Sequence, residues 1–469
     1  MIIGDIAEGL TRQVEGVQSR VSGLFDPVVR IGVTGLARAG KTVFITSLVA
    51  NLLERGRMPQ LVAARDGAIR TAYLQPQPDD TVPRFDFESH LAALTGPEPH
   101  WPASTRAVSE LRLSLRVQPG GLLGSIQGPR TVHLDIVDYP GEWLLDLGLL
   151  DRSYDRWSDE TLTRLAERPE AEGFLRAAQA AAGQEAWEEP DARALAAAFT
   201  DYLHAARRAG YSDLTPGRFL LPGELDGSPA LTFAPLPAGG TGRRALRREM
   251  ERRYDAYRRQ VVKPFFRDHF AKIDRQVVLV DALGAIHAGP RAVEDLRRTM
   301  ADILGAFRPG RNAWLTGLLT GRRVERILFA ATKADHLHHS QHPRLTAIIE
   351  ALVAEARRRA DFSGARTGAM AIASLRATTE DRIEHEGGHL DVVRGIVEGT
   401  GRRAAFHPGD LPEDPARLLV PARQGAERWL DGDYGAMRFA PQPVVLKPGE
   451  GPPHIRLDRA AEFLIGDRL

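Results

Sequence analysis

The eight residues Gly35-Leu36-Ala37-Arg38-Ala39-Gly40-Lys41-Thr42 constrain this chain more than any other feature. They form a G-x-x-x-x-G-K-T pattern between a short apolar run, Val28 to Val33, and a helix-forming stretch from about Lys41 to Leu53. Strand, glycine-rich turn and helix in that order make a phosphate cradle. Glycines let successive backbone N–H groups turn inward, and the helix presents its positive N-terminus to the same anion. The pattern assigns Lys41 to the β- and γ-phosphates of a nucleoside triphosphate and the Thr42 hydroxyl to Mg2+. Gly35, Ala37, Arg38, Ala39, Gly40, Lys41, Thr42 and Val43 are the expected phosphate-binding residues.

A second motif, Asp138-Tyr139-Pro140-Gly141, closes the apolar run Val132 to Val137. A carboxylate there can hold Mg2+, usually through a water, and the Gly141 amide can reach a γ-phosphate. Loss of that phosphate would release the segment, which is how a switch senses hydrolysis. A third motif, Thr332-Lys333-Ala334-Asp335, follows the apolar run Arg326 to Ala331 and is similar to the N-K-x-D guanine motif. A carboxylate at Asp335 accepts from both N1–H and the 2-amino group of guanine, and adenine offers neither donor. Lys333 packs its stem over the base. Threonine at 332 stands where asparagine is usual, which leaves ATP open beside GTP. Ala373-Ser374-Leu375, after Ala369 to Ala373, holds the place of a loop whose backbone contacts the guanine oxygen.

Each motif follows a strand, in the order expected of Ras-like GTPases. By that ordering Thr105, with Ser104 as its rival, is the candidate second hydroxyl on Mg2+, because it precedes the alternating strand Leu111 to Val117. Glu142 sits where many Ras-like proteins carry a water-orienting glutamine, although its charge opposes a γ-phosphate. Arg38 either reaches a phosphate from within the loop or points to solvent. Lys41, Arg38 and Glu142 are thus the candidate catalytic residues, and slow turnover is expected unless a partner or dimer completes the site. His336, His338, His339 and His342 lack an H-E-x-x-H pattern and read as surface histidines rather than metal ligands.

Short apolar runs alternating with helical patterns predict an α/β P-loop NTPase fold with a doubly wound, mostly parallel sheet. Residues 142–274 are mostly helix formers and read as a large helical insertion. The predicted division is an amphipathic helix over 1–27, a first core part over 28–141, the insertion over 142–274, a second core part with base recognition over 275–399, and a proline- and glycine-rich wrap with a terminal helix over 400–469. Eight arginines between 243 and 259 make one helix basic, and acidic neighbours offset them. A formal net charge of +1 predicts no nucleic-acid partner. The chain has no cysteine, which excludes disulfides and thiolate metal sites. No run of 18 apolar residues predicts a membrane-spanning helix. Ile3, Ile6, Leu10, Val14, Val17, Val21 and Leu24 share one helix face, suited to the protein's own core, a partner or a membrane surface. The expected location is cytoplasmic, with a peripheral inner-membrane contact left open.

The chain resembles the YcjX-like group of bacterial P-loop proteins over nearly its whole length. The resemblance rests on GLARAGKTVFITSLVANLL (35–53), LDIVDYPGEWLLDL (134–147), DRQVVLVDALGA (274–285), FAATKADHL (329–337) and PHIRLDRAAEFLIGDRL (453–469). It implies a Ras-like core with a helical insertion, GTP or GDP and Mg2+ as ligands, and a link to bacterial envelope stress. The inserted helices are expected to read the nucleotide state, with an unidentified protein partner or self-association through the insertion. An ATPase, a small-molecule kinase of the same fold and a non-catalytic scaffold are the rival readings.

Overall fold

A computed structural model describes residues 26–35, 39–103, 107–118, 128–240, 242–305, 324–362, 364–385, 387–429 and 434–469. Its centre is a sheet built from β1 (Val28–Gly35), β2 (Ile69–Gln75), β3 (Ser109–Val117), β4 (Arg130–Asp138), β5 (Arg275–Val280), β6 (Arg326–Ala331) and β7 (Arg366–Ala371), in the order β2-β3-β4-β1-β5-β6-β7. From β4 to β7 every neighbouring pair is parallel. β3 joins β4, and β2 joins β3, in antiparallel register. The sheet is therefore mixed and mostly parallel.

The apolar runs are continuous because both faces are covered, and alternate residues of one strand enter different cores. In β5, Val277 and Leu279 join one cluster, and Val278 and Val280 join the other. In β6, Leu328 and Ala330 separate in the same way from Ile327, Phe329 and Ala331.

The helices that build the two layers are α1 (Lys41–Glu54), α2 (Gly141–Leu145), α3 (Tyr154–Leu165), α4 (Glu172–Ala181), α5 (Glu189–Ala209), α6 (Leu246–Tyr257), α7 (Pro290–Gly305), α8 (His342–Leu352) and α9 (Leu457–Ile465). α1 and α9 cover one face, with Phe44, Leu48, Leu457 and Leu464 packed against β1 and β5. α3 to α8 contribute to the cluster on the other face. Among the described residues from Gly141 to Lys272, every regular element is helical. Their core is aromatic: Trp157 stacks on Tyr254 at 4.9 Å between centroids, with Phe199 and Phe233 edge-on to Trp157. That core is continuous with Val278 and Phe329 of the sheet. The arginines of α6 are engaged by acidic partners. Arg253 is buried between Glu189 and Glu249, and Arg247 pairs with Asp155.

After β7 the chain builds a sheet that the sequence did not announce, beginning within the expected second core part (275–399) and ending within the expected wrap (400–469). β8 (Thr378–His385), β9 (Gly388–Val397), β10 (Arg403–Phe406) and β11 (Phe439–Ala440) form a second, antiparallel sheet in which β9 pairs with the other three. Its sequence hides it. β8 reads Thr-Thr-Glu-Asp-Arg-Ile-Glu-His, with no apolar alternation, because its core is small: Ala377, Val393 and Phe439 with Trp101, Phe406 and Met437 against them. No helix among the described residues is long and apolar enough to cross a membrane. The amphipathic segment Ile3 to Leu24 lies outside the described residues.

Candidate functional site

β1 and α1 meet at the phosphate motif. Gly40 precedes α1 with φ +81°, a left-handed conformation that glycine adopts without steric cost. Gly40 brings no side-chain cap to the first turn of α1, whose leading amides suit an anion. Lys41 Nζ donates to the Gly35 carbonyl at 2.9 Å, which folds the ammonium back over the turn. Ala39 and Thr42 are buried. Ala37 and Arg38 lie outside the described residues, as do Ser104 and Thr105.

β4 delivers Asp138, buried and in register with Val33 of β1, one strand from the turn. Gly141 then opens α2, which the helical stretch grips closely. The Gly217 amide donates to Asp146 Oδ1 at 2.7 Å, and the Tyr257 hydroxyl donates to the same carboxylate. Burial pushes the Asp146 carboxyl up to about 6, against the opposing pull of these hydrogen bonds. Trp143 donates its indole N–H to the Leu221 carbonyl at 2.8 Å, under the Arg218 guanidinium at 3.3 Å from the ring centre. A Cβ at residue 217 would fall 1.8 Å from the Glu142 carbonyl oxygen, so only glycine fits there. Glu142 is itself buried, and its carboxylate pairs with Arg207, in the last turn of α5, at 2.9 Å.

The opposite wall comes from the ends of β6 and β7. The Thr332 amide donates to the Val280 carbonyl at 3.0 Å. Lys333 has φ +62° and pairs its ammonium with Asp281 at the end of β5. Asp335 is 4% exposed, and its Oδ2 accepts the Ala377 amide at 2.9 Å. The Thr378 hydroxyl donates to the Asp335 carbonyl. Ala373 exchanges backbone hydrogen bonds with Ile455 at 3.1 and 2.8 Å, so the C-terminal segment holds the Ala373-Ser374-Leu375 loop.

All three parts face one cavity of about 310 Å³, within the range of ligand pockets. Of the residues expected from sequence, Ala39, Gly40, Lys41, Thr42, Val43, Glu142, Thr332, Lys333, Asp335, Ala373, Ser374 and Leu375 line it. Gly35, Asp138 and Gly141 do not, although Gly35 and Asp138 are within a strand's width of the turn. Sequence reasoning missed Trp101, Arg207, Leu221, His336, Glu398, Arg438 and Phe439, which also line the cavity. Glu398, Arg438 and Phe439 belong to the second sheet and its flanks, which no periodicity announces.

His342 and His336 correct the surface reading, and His339 bears it out. His342 is 2% exposed, with Nε2 at 2.8 Å from the Ala334 carbonyl oxygen. His336 packs edge-on against Phe439 at 5.3 Å, and burial lowers its pKa. His339 is exposed and bonds to Glu380 at 2.7 Å.

The family profile "YcjX-like family, DUF463" matches residues 29–469. A protein of Escherichia coli K12 named "Ras-like GTPase YcjX" is 37% identical over 460 residues, which span 95% of this chain and 96% of that one. A protein of the same name from Shewanella oneidensis strain MR-1 is 33% identical over 494 residues, spanning both chains in full. With both full-length likenesses and the profile match, the chain belongs to the YcjX-like family.

Proposed function

We propose that this protein binds and hydrolyses GTP with Mg2+, and that its helical stretch, as an insertion into the core, reads the nucleotide state. One observation carries the reading: Lys41 and Asp335, from the ends of different strands, line one cavity. A triphosphate on the α1 amides and Lys41 leaves its base at the Thr332–Asp335 and Ala373–Leu375 loops. The names of the relatives from Escherichia coli and Shewanella oneidensis support the same activity.

Thr42 and Asp138 fit Mg2+ by the chemistry of their donors, a hydroxyl and a carboxylate, both hard oxygen ligands. Thr105 is the third candidate. Bound Mg2+ would neutralise charge on the β- and γ-phosphates. The Gly141 amide is the proposed sensor of the γ-phosphate. The Gly217 backbone and the Leu221 carbonyl hold the segment that follows, so a shift at Gly141 would be felt in the helical layer. The protein is proposed to act in the bacterial cytoplasm in a stress response, through a partner or second copy that recognises that layer.

Phosphate release from GTP and from ATP, each with Mg2+, tests the activity. GTP turnover that disappears in Lys41→Ala is expected. Equal or faster ATP turnover would favour the ATPase reading, which the threonine at 332 keeps in view.

A further inference from the structure

The Glu142–Arg207 pair is unusual in its place. A buried carboxylate lines the same cavity as Lys41 and Thr42, where a γ-phosphate would repel it. The pair is neutral only because α5 sends Arg207 across at 2.9 Å. The neighbouring Arg208 is exposed, so the α5 C-terminus alone does not explain the inward turn of Arg207. The Arg207 side chain is 29% exposed and sits on the cavity surface. A planar guanidinium matches phosphate oxygens bidentately, and a phosphoryl group in transfer carries more charge on those oxygens than one carboxylate offers.

We propose that Arg207 is the catalytic cation for the γ-phosphate, supplied within the same chain by α5 and held on Glu142 until nucleotide arrives. This rests on the GTP-hydrolysing reading above. In the step, a water oxygen bonds to the γ-phosphorus while the bond from that phosphorus to the β–γ bridging oxygen breaks. The electron pair leaves with GDP, and both hydrogens of the water end on the released phosphate. Arg207 donates to the oxygens that gain charge, and Glu142 gives up the guanidinium. The helical layer then does more than sense nucleotide, because α5 completes the site.

The test is calorimetric binding of GDP, and of GDP with aluminium fluoride, to the full chain with Mg2+. The planar fluoride mimics the phosphoryl group in transfer, so the wild type should bind it at least about 30-fold tighter than GDP alone. Arg207→Ala should bind GDP within about threefold of wild type yet keep less than about threefold of that fluoride gain. Single-turnover GTP hydrolysis should fall by about 10²- to 10³-fold, with KM nearly unchanged. Arg207→Lys should lose at least about tenfold of the gain, and it decides the matter if the alanine variant does not fold. Full fluoride gain in the lysine and alanine variants overturns the role of Arg207. A wild-type protein that binds GDP without any gain overturns it as well. A wild-type protein that binds no GDP instead removes the nucleotide reading itself.

Discussion

The carboxylate of Asp335 accepts the backbone amide of Ala377 at 2.9 Å. One oxygen of the proposed base-reading group is thereby fixed by the residue that leads into the second sheet, and the carboxylate plane is set before any ligand binds. Thr378, the first residue of β8, holds the carbonyl of the same aspartate. Preorganisation of this kind lowers the cost of binding because the polar group need not search for its orientation. The second sheet therefore holds the proposed base-reading carboxylate from behind, as well as lining the cavity through Phe439.

Asp335→Asn should shift preference from guanosine to xanthosine nucleotides. The carboxamide oxygen can keep the Ala377 hydrogen bond, while its NH2 meets the oxygen that xanthine carries in place of the 2-amino group. Displacement titrations should show GDP weakened by about 10²-fold or more and xanthosine diphosphate strengthened. Undiminished GDP preference would place the base reader elsewhere.

Lys41→Ala should abolish triphosphate binding by calorimetry while leaving the fold nearly intact. Without ligand the side chain makes one hydrogen bond among the described residues, to Gly35. Its loss costs about 1 kcal/mol, or a melting shift of a few degrees at most. Wild-type affinity in this variant would refute the phosphate role.

Asp146 predicts a pH effect of unusual sign. Burial raises its carboxyl from 3.8 to about 6, so the folded state binds the proton more tightly than the unfolded state. Its contribution is fully present below the unfolded value and is lost as pH rises through about 6. Urea unfolding of the wild type and Asp146→Asn at pH 4 and pH 7 should show the wild type losing roughly 2 kcal/mol relative to the variant over that range. A constant difference would mean that the carboxyl titrates normally.

Trp157→Ala should cost roughly 3–5 kcal/mol, because it empties the centre of the aromatic core in the helical layer. Since that core is continuous with Val278 and Phe329, sheet and helices should still unfold together. Two separate transitions in the variant or the wild type would show that the helical layer folds alone.

The legible parts of this fold are those where one residue type is forced by local physics. The β1–α1 turn announces itself because Gly40 needs a positive φ and Lys41 an ammonium. β5 and β6 announce themselves because burial on both faces demands unbroken apolar runs. β8 to β10 did not, since they cover a core of a few residues, β8 is almost wholly polar and β10 is only four residues long. Arg207 was invisible for a different reason. It lies 65 residues after Glu142 in a helix rich in alanine and arginine, and only folding brings them together. His342 misled because its ring satisfies buried carbonyls of its own loop, a role that leaves no sequence pattern.

The most direct test of the account is displacement of a fluorescent GDP analogue by GTP and by ATP in the presence of Mg2+. If the Lys41 turn and Asp335 hold the two ends of one guanine nucleotide, GTP should displace the analogue at a concentration about 10²-fold or more below that of ATP. Equal potency of the two nucleotides would contradict a guanine-reading role for Asp335, and failure of both would contradict the phosphate site at Lys41.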